Sequence, residues 1–250
     1  MTNWSIVRCQ DEMETEILVQ LCVFVFDIFL HIFPHNKMTA EKCTIFNEKT
    51  AKYPMLITNS IPIHIRTSVK NMSIKNSNIL IYHLAHELMH YVIRQYKSDK
   101  EVYVRWFEET VCEAMSLYIL ELASKRWSEC VLSLNDPKYG QAIQQYKMNA
   151  IDETPTEGLK KCSTLADLTQ IESTCENKRE DRVCERNYLY SVFLKHPHHI
   201  SEIANYTKYI MSNRLLIDFD MWENEYAEAK VFISSIKVIQ PNIKTVASML

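Results

Sequence analysis

Two glycines in 250 residues, Gly140 and Gly158, constrain this chain more than any other feature, since an average protein carries about 7%. Phosphate-cradling loops and the dinucleotide fingerprint need several glycines within a few residues. These two lie eighteen positions apart, so both motifs are missing. The G-x-S-x-G elbow of serine hydrolases fails on the same count. The missing motifs argue against ATPase, kinase and Rossmann dehydrogenase readings. Scarce glycine suits a helix-rich chain, because glycine mainly serves tight turns and bulges.

Charge and cysteine content narrow the field further. The 28 basic and 31 acidic residues leave a net charge of −3, which is no footprint for nucleic acid or an anionic membrane. The mixed run Lys178 to Arg182 (KREDR) reads as a solvated helix start, since interspersed charges cancel beyond a Debye length. None of the eight cysteines stands in C-x-x-C spacing, so structural zinc modules and thioredoxin-like redox chemistry lack their signature. Several lie in apolar helical stretches, where cysteine acts as a small hydrophobe. A reducing, cytoplasmic setting is expected.

The apolar run Ile17 to Phe33 follows Asp11, Glu12, Glu14 and Glu16. A signal peptide needs a basic leading region, and a membrane span needs about twenty apolar residues. This run has neither, being interrupted by Gln20, Asp27 and His31. The acidic residues suit a helix N-terminus, which predicts a buried helix over 12–32 closed by Pro34. Short β-prone runs follow at Lys42–Asn47 and Tyr53–Asn59. Ile61–Thr67 alternates with Ile61, Ile63 and Ile65 on one face, the period of a half-exposed strand. Pro62 within it predicts an edge position. Beyond the polar stretch 70–78, helices are expected over 78–95, 104–127 and 137–150. Ser163 or Thr164 is expected to cap a short helix toward Glu172. Further helices are expected over 180–195, 199–213 and 218–235.

The chemistry is concentrated in His86-Glu87-Leu88-Met89-His90, an H-E-x-x-H motif. Imidazoles at i and i+4 lie one above the other on a helix face and can bind one metal ion. The intervening Glu87 sits beside that face, in reach of a metal-bound water as general base. A zinc site also needs a third protein ligand and an open position. The metzincin extension requires Gly and His where this chain has Ile93 and Tyr96. The alternative is a glutamate on a following helix. Trp106 to Ala114 opens one, and eighteen residues separate His90 from Glu109. Glu108 competes for the role, but adjacent helical residues point about 100° apart, so one of the two faces the site. Glu109 shares its face with Glu113, which favours Glu109.

This arrangement resembles the metal site of the gluzincin zinc metallopeptidases, a group that includes thermolysin-like enzymes and the M1 aminopeptidases. Residues 106–109, WFEE, look like the W-L-N-E segment of the M1 type, and Glu113 looks like the thermolysin-like acidic residue that orients a ligating histidine. The likeness spans about residues 60 to 118, and the M1 family's glycine-rich substrate-recognition sequence is missing. It implies a helix-dominated α+β fold with a zincin-like domain. Residues 1–100 would hold a helix, short strands and the motif helix, and residues 101–250 a helical subdomain. It implies Zn²⁺ on His86, His90 and Glu109, Glu87 as the catalytic base, and a peptide or protein substrate. The strand Ile61–Thr67 could align that substrate or simply complete the sheet. Glu113 reads equally well as a salt-bridging residue, and His83, three positions before His86, as a core or supporting histidine. His196, His198 and His199 around Pro197 read as a loop between helices, and Tyr188 and Tyr190 are candidates for oxyanion support. The rival reading is a non-enzymatic helical interaction or regulatory protein, a degenerate zincin.

Overall fold

The computed structural model describes residues 3–99 and 102–243. It is helix-dominated, with one small four-stranded mixed sheet near the N-terminus. The elements run β1 (Trp4–Ile6), α1 (Glu12–Leu30), α2 (His35–Met38), β2 (Cys43–Asn47), β3 (Met55–Ile57) and β4 (Ile63–Thr67), then α3 (Ser77–Tyr96) and α4 (Arg105–Lys125). Among the described residues there follow α5 (Tyr139–Ile151), α6 (Gly158–Lys161), α7 (Leu165–Thr174), α8 (Val183–Lys195), α9 (Phe219–Glu225) and α10 (Lys230–Lys237). Contacts divide it into two units, residues 1–95 with 115–150, and residues 96–114 with 151–250; the dividing line crosses the unbroken helix α4.

In the first unit the acidic start of α1 is capped as its composition requires. Asp11 accepts from the Glu14 N–H at 3.0 Å, and the apolar run behind it is buried from Ile17 to Phe29 on most positions. No described helix is long and apolar enough to cross a membrane. The strand order is β1-β2-β4-β3, with β2 parallel to both β1 and β4 and β3 antiparallel to β4. Ile63 and Ile65 point into the core as their alternation predicts, at 5% and 0% exposure. The edge expectation for Ile61–Thr67 is overturned. β4 is paired on both sides, because Pro62 lies just ahead of the first ladder residue and withholds no hydrogen bond from it. Among the described residues β1 and β3 are the outer strands, so strand addition would fall to one of them. β1, three residues long, carries too short an alternation to be legible beforehand. Trp4 from this strand packs against Phe26 and Tyr91.

Both glycines of the chain sit where a Cβ would collide. One at Gly140 would meet the Ser124 carbonyl oxygen at 2.7 Å, and one at Gly158 the Asp181 carbonyl oxygen at 2.6 Å. Neither has a positive φ, so close backbone approach, not turn geometry, accounts for them.

In the second unit Trp106, Phe107, Tyr206, Phe219 and Trp222 are buried, with Phe107 tilted on the Tyr206 ring at 4.9 Å. Thr164 caps α7 in a reciprocal box with Asp167. The expected helix over 199–213 is instead a 3₁₀ run, Pro197–Tyr209. The expected helix over 218–235 is divided into α9, a 3₁₀ turn and α10. Apolar periods of 3.6 and 3.0 residues differ by little more than half a residue per turn, so the two helix types read alike in a run this short.

Candidate metal centre

α3 presents the H-E-x-x-H motif in mid-helix, flanked by fully buried Leu84, Ala85, Val92 and Ile93. This packing fixes which face carries the histidines. The i, i+4 spacing brings the two rings to a centroid separation of 4.9 Å, with Nε2 of His90 3.2 Å from Nε2 of His86. Glu109, in the second turn of α4, supplies the third group. One ligand atom from each of His86, His90 and Glu109 lies within 4.8 Å of the others, and all three residues are half-buried. Among the described residues this group could hold a metal ion.

The donor set fits such an ion. Two ligands about 2.0–2.1 Å from a tetrahedral zinc stand about 3.3 Å apart, close to the observed 3.2 Å between the imidazole nitrogens. Two nitrogens and a carboxylate oxygen also form a donor set typical of zinc sites that keep an open position. Glu87 lies on α3 between the histidines and is 3% exposed.

The neighbouring glutamates are engaged elsewhere. Glu108 Oε2 accepts from Lys97 Nζ at 2.9 Å and from the hydroxyl of Tyr206. Burial first, then the Glu108 charge, pushes the Tyr206 phenol well up, so it stays protonated and donates. Glu113 is 2% exposed. Its carboxylate accepts from Arg182 Nη2 at 2.9 Å, with Arg179 Nε at 3.6 Å and Arg186 Nη1 at 3.8 Å. Arg182 and Arg186 are themselves 1% and 0% exposed; Glu113 pairs with Arg182, the salt-bridging role its sequence position allowed, while Arg186 lies closer to Glu153, at 2.9 Å.

The start of α4 is capped by a residue distant in sequence. The Glu172 carboxylate accepts the backbone N–H groups of Arg105 and Trp106 at 2.7 and 2.8 Å, satisfying two of the donors a helix start leaves open. Burial outweighs these bonds and raises the Glu172 carboxyl above its ordinary value. Trp106 Nε1 donates to the Leu215 carbonyl at 2.9 Å. The first three turns of α4 are thus held by Glu172, Leu215, Lys97, Tyr206 and Arg182.

The other candidate residues fall as follows. His83 lies on α3, partly buried. His196 and His199 rest against the Phe232 ring, at 6.2 and 6.4 Å. Tyr188 and Tyr190 both lie on α8, the first exposed and the second buried. Lys97, Glu172 and Tyr206 were not legible as parts of this neighbourhood. Lys97 is one charge after a helix, and Glu172 and Tyr206 reach α4 from 67 and 98 positions away. Searches of protein families, of curated proteins and of solved structures find no match to this chain.

Proposed function

We propose that the protein is a zinc-dependent peptide hydrolase of gluzincin type, acting on a peptide or protein substrate through a zincin-like domain. The observation that carries this reading is the convergence of His86, His90 and Glu109, with ligand atoms within 4.8 Å of one another. It rests on a motif whose spacing already serves one metal ion.

His86, His90 and Glu109 would hold the ion. When bound, zinc supplies Lewis-acid polarisation of a carbonyl and lowers the pKa of water toward about 7. Glu87 follows His86 and precedes His90 by three positions, beside the ligand face of α3. Its carboxylate accepts the proton of the attacking water and passes it to the departing amine. Burial of Glu87 shields this proton from bulk solvent and keeps the transfer local. Glu108 is given no ligand role, because Lys97 and Tyr206 both bond its Oε2.

The test separates metal holding from proton transfer. Purified wild type should carry about one zinc per chain, and His86→Ala, His90→Ala and Glu109→Ala should each lose it. Glu87→Gln keeps size and hydrogen-bonding reach but cannot take up the proton. It should retain zinc while cleavage of a peptide library falls by on the order of 10² or more. Wild-type cleavage by a zinc-loaded Glu87→Gln protein would remove the base, and with it the hydrolase reading.

A further inference from the structure

Two adjacent carboxylates, Glu108 and Glu109, begin the helix that completes the metal-capable group, and something must decide which of them faces the imidazoles. Helical geometry sets them about 100° apart, so a rotation of about that size in the first turns of α4 would bring Glu108 to the position Glu109 holds. Glu108 is fixed by two donors on the same oxygen, Lys97 Nζ at 2.9 Å and the Tyr206 hydroxyl. Neither donor is a surface group. The Lys97 side chain is 5% exposed and Tyr206 is fully buried.

Lys97 is further constrained. Its ammonium stands 4.9 Å from the centroid of the Tyr103 ring, and Tyr103 in turn accepts from Arg105 Nη2 at 2.8 Å. Lys97 also directly follows Tyr96, the last residue of α3. The ion pair therefore joins the residue after the histidine-bearing helix to the residue before the third ligand. A buried ion pair is weak evidence for stability, but it is well suited to specifying one arrangement over another.

We infer that Lys97 and Tyr206 are positioning residues of the metal centre: by holding Glu108 to one side of α4, they leave Glu109 as the carboxylate presented to His86 and His90. The inference rests on the metal-site reading above and adds the device that selects between the two glutamates. It predicts that the identity of the pair matters to the coordination shell and not only to folding. Removing Lys97 leaves the Glu108 carboxylate buried and competing for the metal. Neutralising Glu108 at the same time removes that competitor.

The experiment uses the full chain loaded with cobalt(II), whose visible absorption reports ligand number and geometry, together with zinc affinity measured by chelator competition. Lys97→Met should lower zinc affinity by on the order of tenfold or more and alter the cobalt spectrum. Lys97→Met with Glu108→Gln should restore both toward wild type, and Lys97→Arg should remain close to it. Tyr206→Phe removes one hydroxyl with little change in volume and should move both readouts in the same direction as Lys97→Met. It provides the measurement if Lys97→Met does not fold. Lys147→Met, which breaks a different buried ion pair, should leave spectrum and affinity unchanged at comparable loss of stability. Wild-type affinity and spectrum in Lys97→Met or Tyr206→Phe, or equal effects in Lys147→Met, would overturn the positioning role while leaving the metal centre intact. Failure of the wild type to take up cobalt or zinc would overturn the metal centre itself and the positioning role with it.

Discussion

Lys147 and Glu121 meet inside the first unit, with side chains 5% and 11% exposed, and Lys125 adds a second cation to the same carboxylate at 2.7 Å. Burial alone would raise the Glu121 carboxyl, but hydrogen bonds from Lys125 and Lys147 outweigh it and hold it below its ordinary value. A depressed folded pKa contributes stability that is present above the unfolded value, about 4.3. That stability is lost as pH falls through the folded value. The stability difference between wild type and Glu121→Gln should therefore be largest near neutrality and shrink below about pH 4, followed by thermal unfolding across pH. Lys147→Met leaves a partly buried carboxylate with one cation fewer and should cost about 3 kcal/mol, read from urea denaturation. A neutral result would mean that water reaches Glu121 more freely than its burial indicates. Glu109 illustrates the same principle in the group that could hold a metal ion. A carboxylate's role is set by what surrounds it, and Glu108, one position away, is given a different one by Lys97 and Tyr206.

Helix α5 begins where the chain passes against the end of α4. Gly140, its second residue, has the Ser124 carbonyl oxygen 2.7 Å from where a Cβ would stand, with Trp127 Cβ at 3.2 Å. Alanine is the better helix former by about 1 kcal/mol, so propensity alone predicts that Gly140→Ala stabilises. The contact predicts the reverse, since a backbone carbonyl cannot swing aside as a long side chain can. A net loss of about 1–3 kcal/mol is expected, seen as a lower urea midpoint with an unchanged slope. A raised midpoint would show that the two helices separate at little cost. Competition of this kind also explains where periodicity was a good guide. α1, α3 and α4 are long and strongly patterned, and they appear within two residues of the expected ends. The stretch 197–209 is bounded by Pro197 and buries Ile200, Ile203, Tyr206 and Tyr209, each three residues after the last, and it settles into 3₁₀ geometry.

Ligand atoms at positions 86, 90 and 109 come together only in the folded chain, so a metal ion should bind the native state in preference to the unfolded one. Zinc at about a hundred times its dissociation constant would add about 2.7 kcal/mol. In a chain of this size that corresponds to a rise in Tm of about 5–10 °C. Calorimetry with and without a chelator should show the rise in wild type and in Glu87→Gln and its loss in His90→Ala and Glu109→Ala. A rise of equal size in His90→Ala would place the metal elsewhere on the protein.

Residue types and spacing along the chain determined a good deal. Near-absence of glycine argued against the glycine-rich phosphate-binding motifs, long apolar periods located the three principal helices, and H-E-x-x-H put two imidazoles on one face, because a helix turn is a local property. The preference for Glu109 over Glu108 was likewise legible, through the face it shares with Glu113. Tertiary structure decided what depends on neighbours remote in sequence. β4 is an inner strand despite Pro62, since β3 covers its other side. Glu113 answers to Arg182, and Glu172 caps a helix that starts 67 positions before it. Lys97 and Tyr206, which both hold Glu108, lie 11 positions before it and 98 positions after it. Pairings of this kind depend on loop closure and packing of the whole chain. No local pattern encodes them, so composition and periodicity could name the groups that would hold a metal but not the groups that aim them.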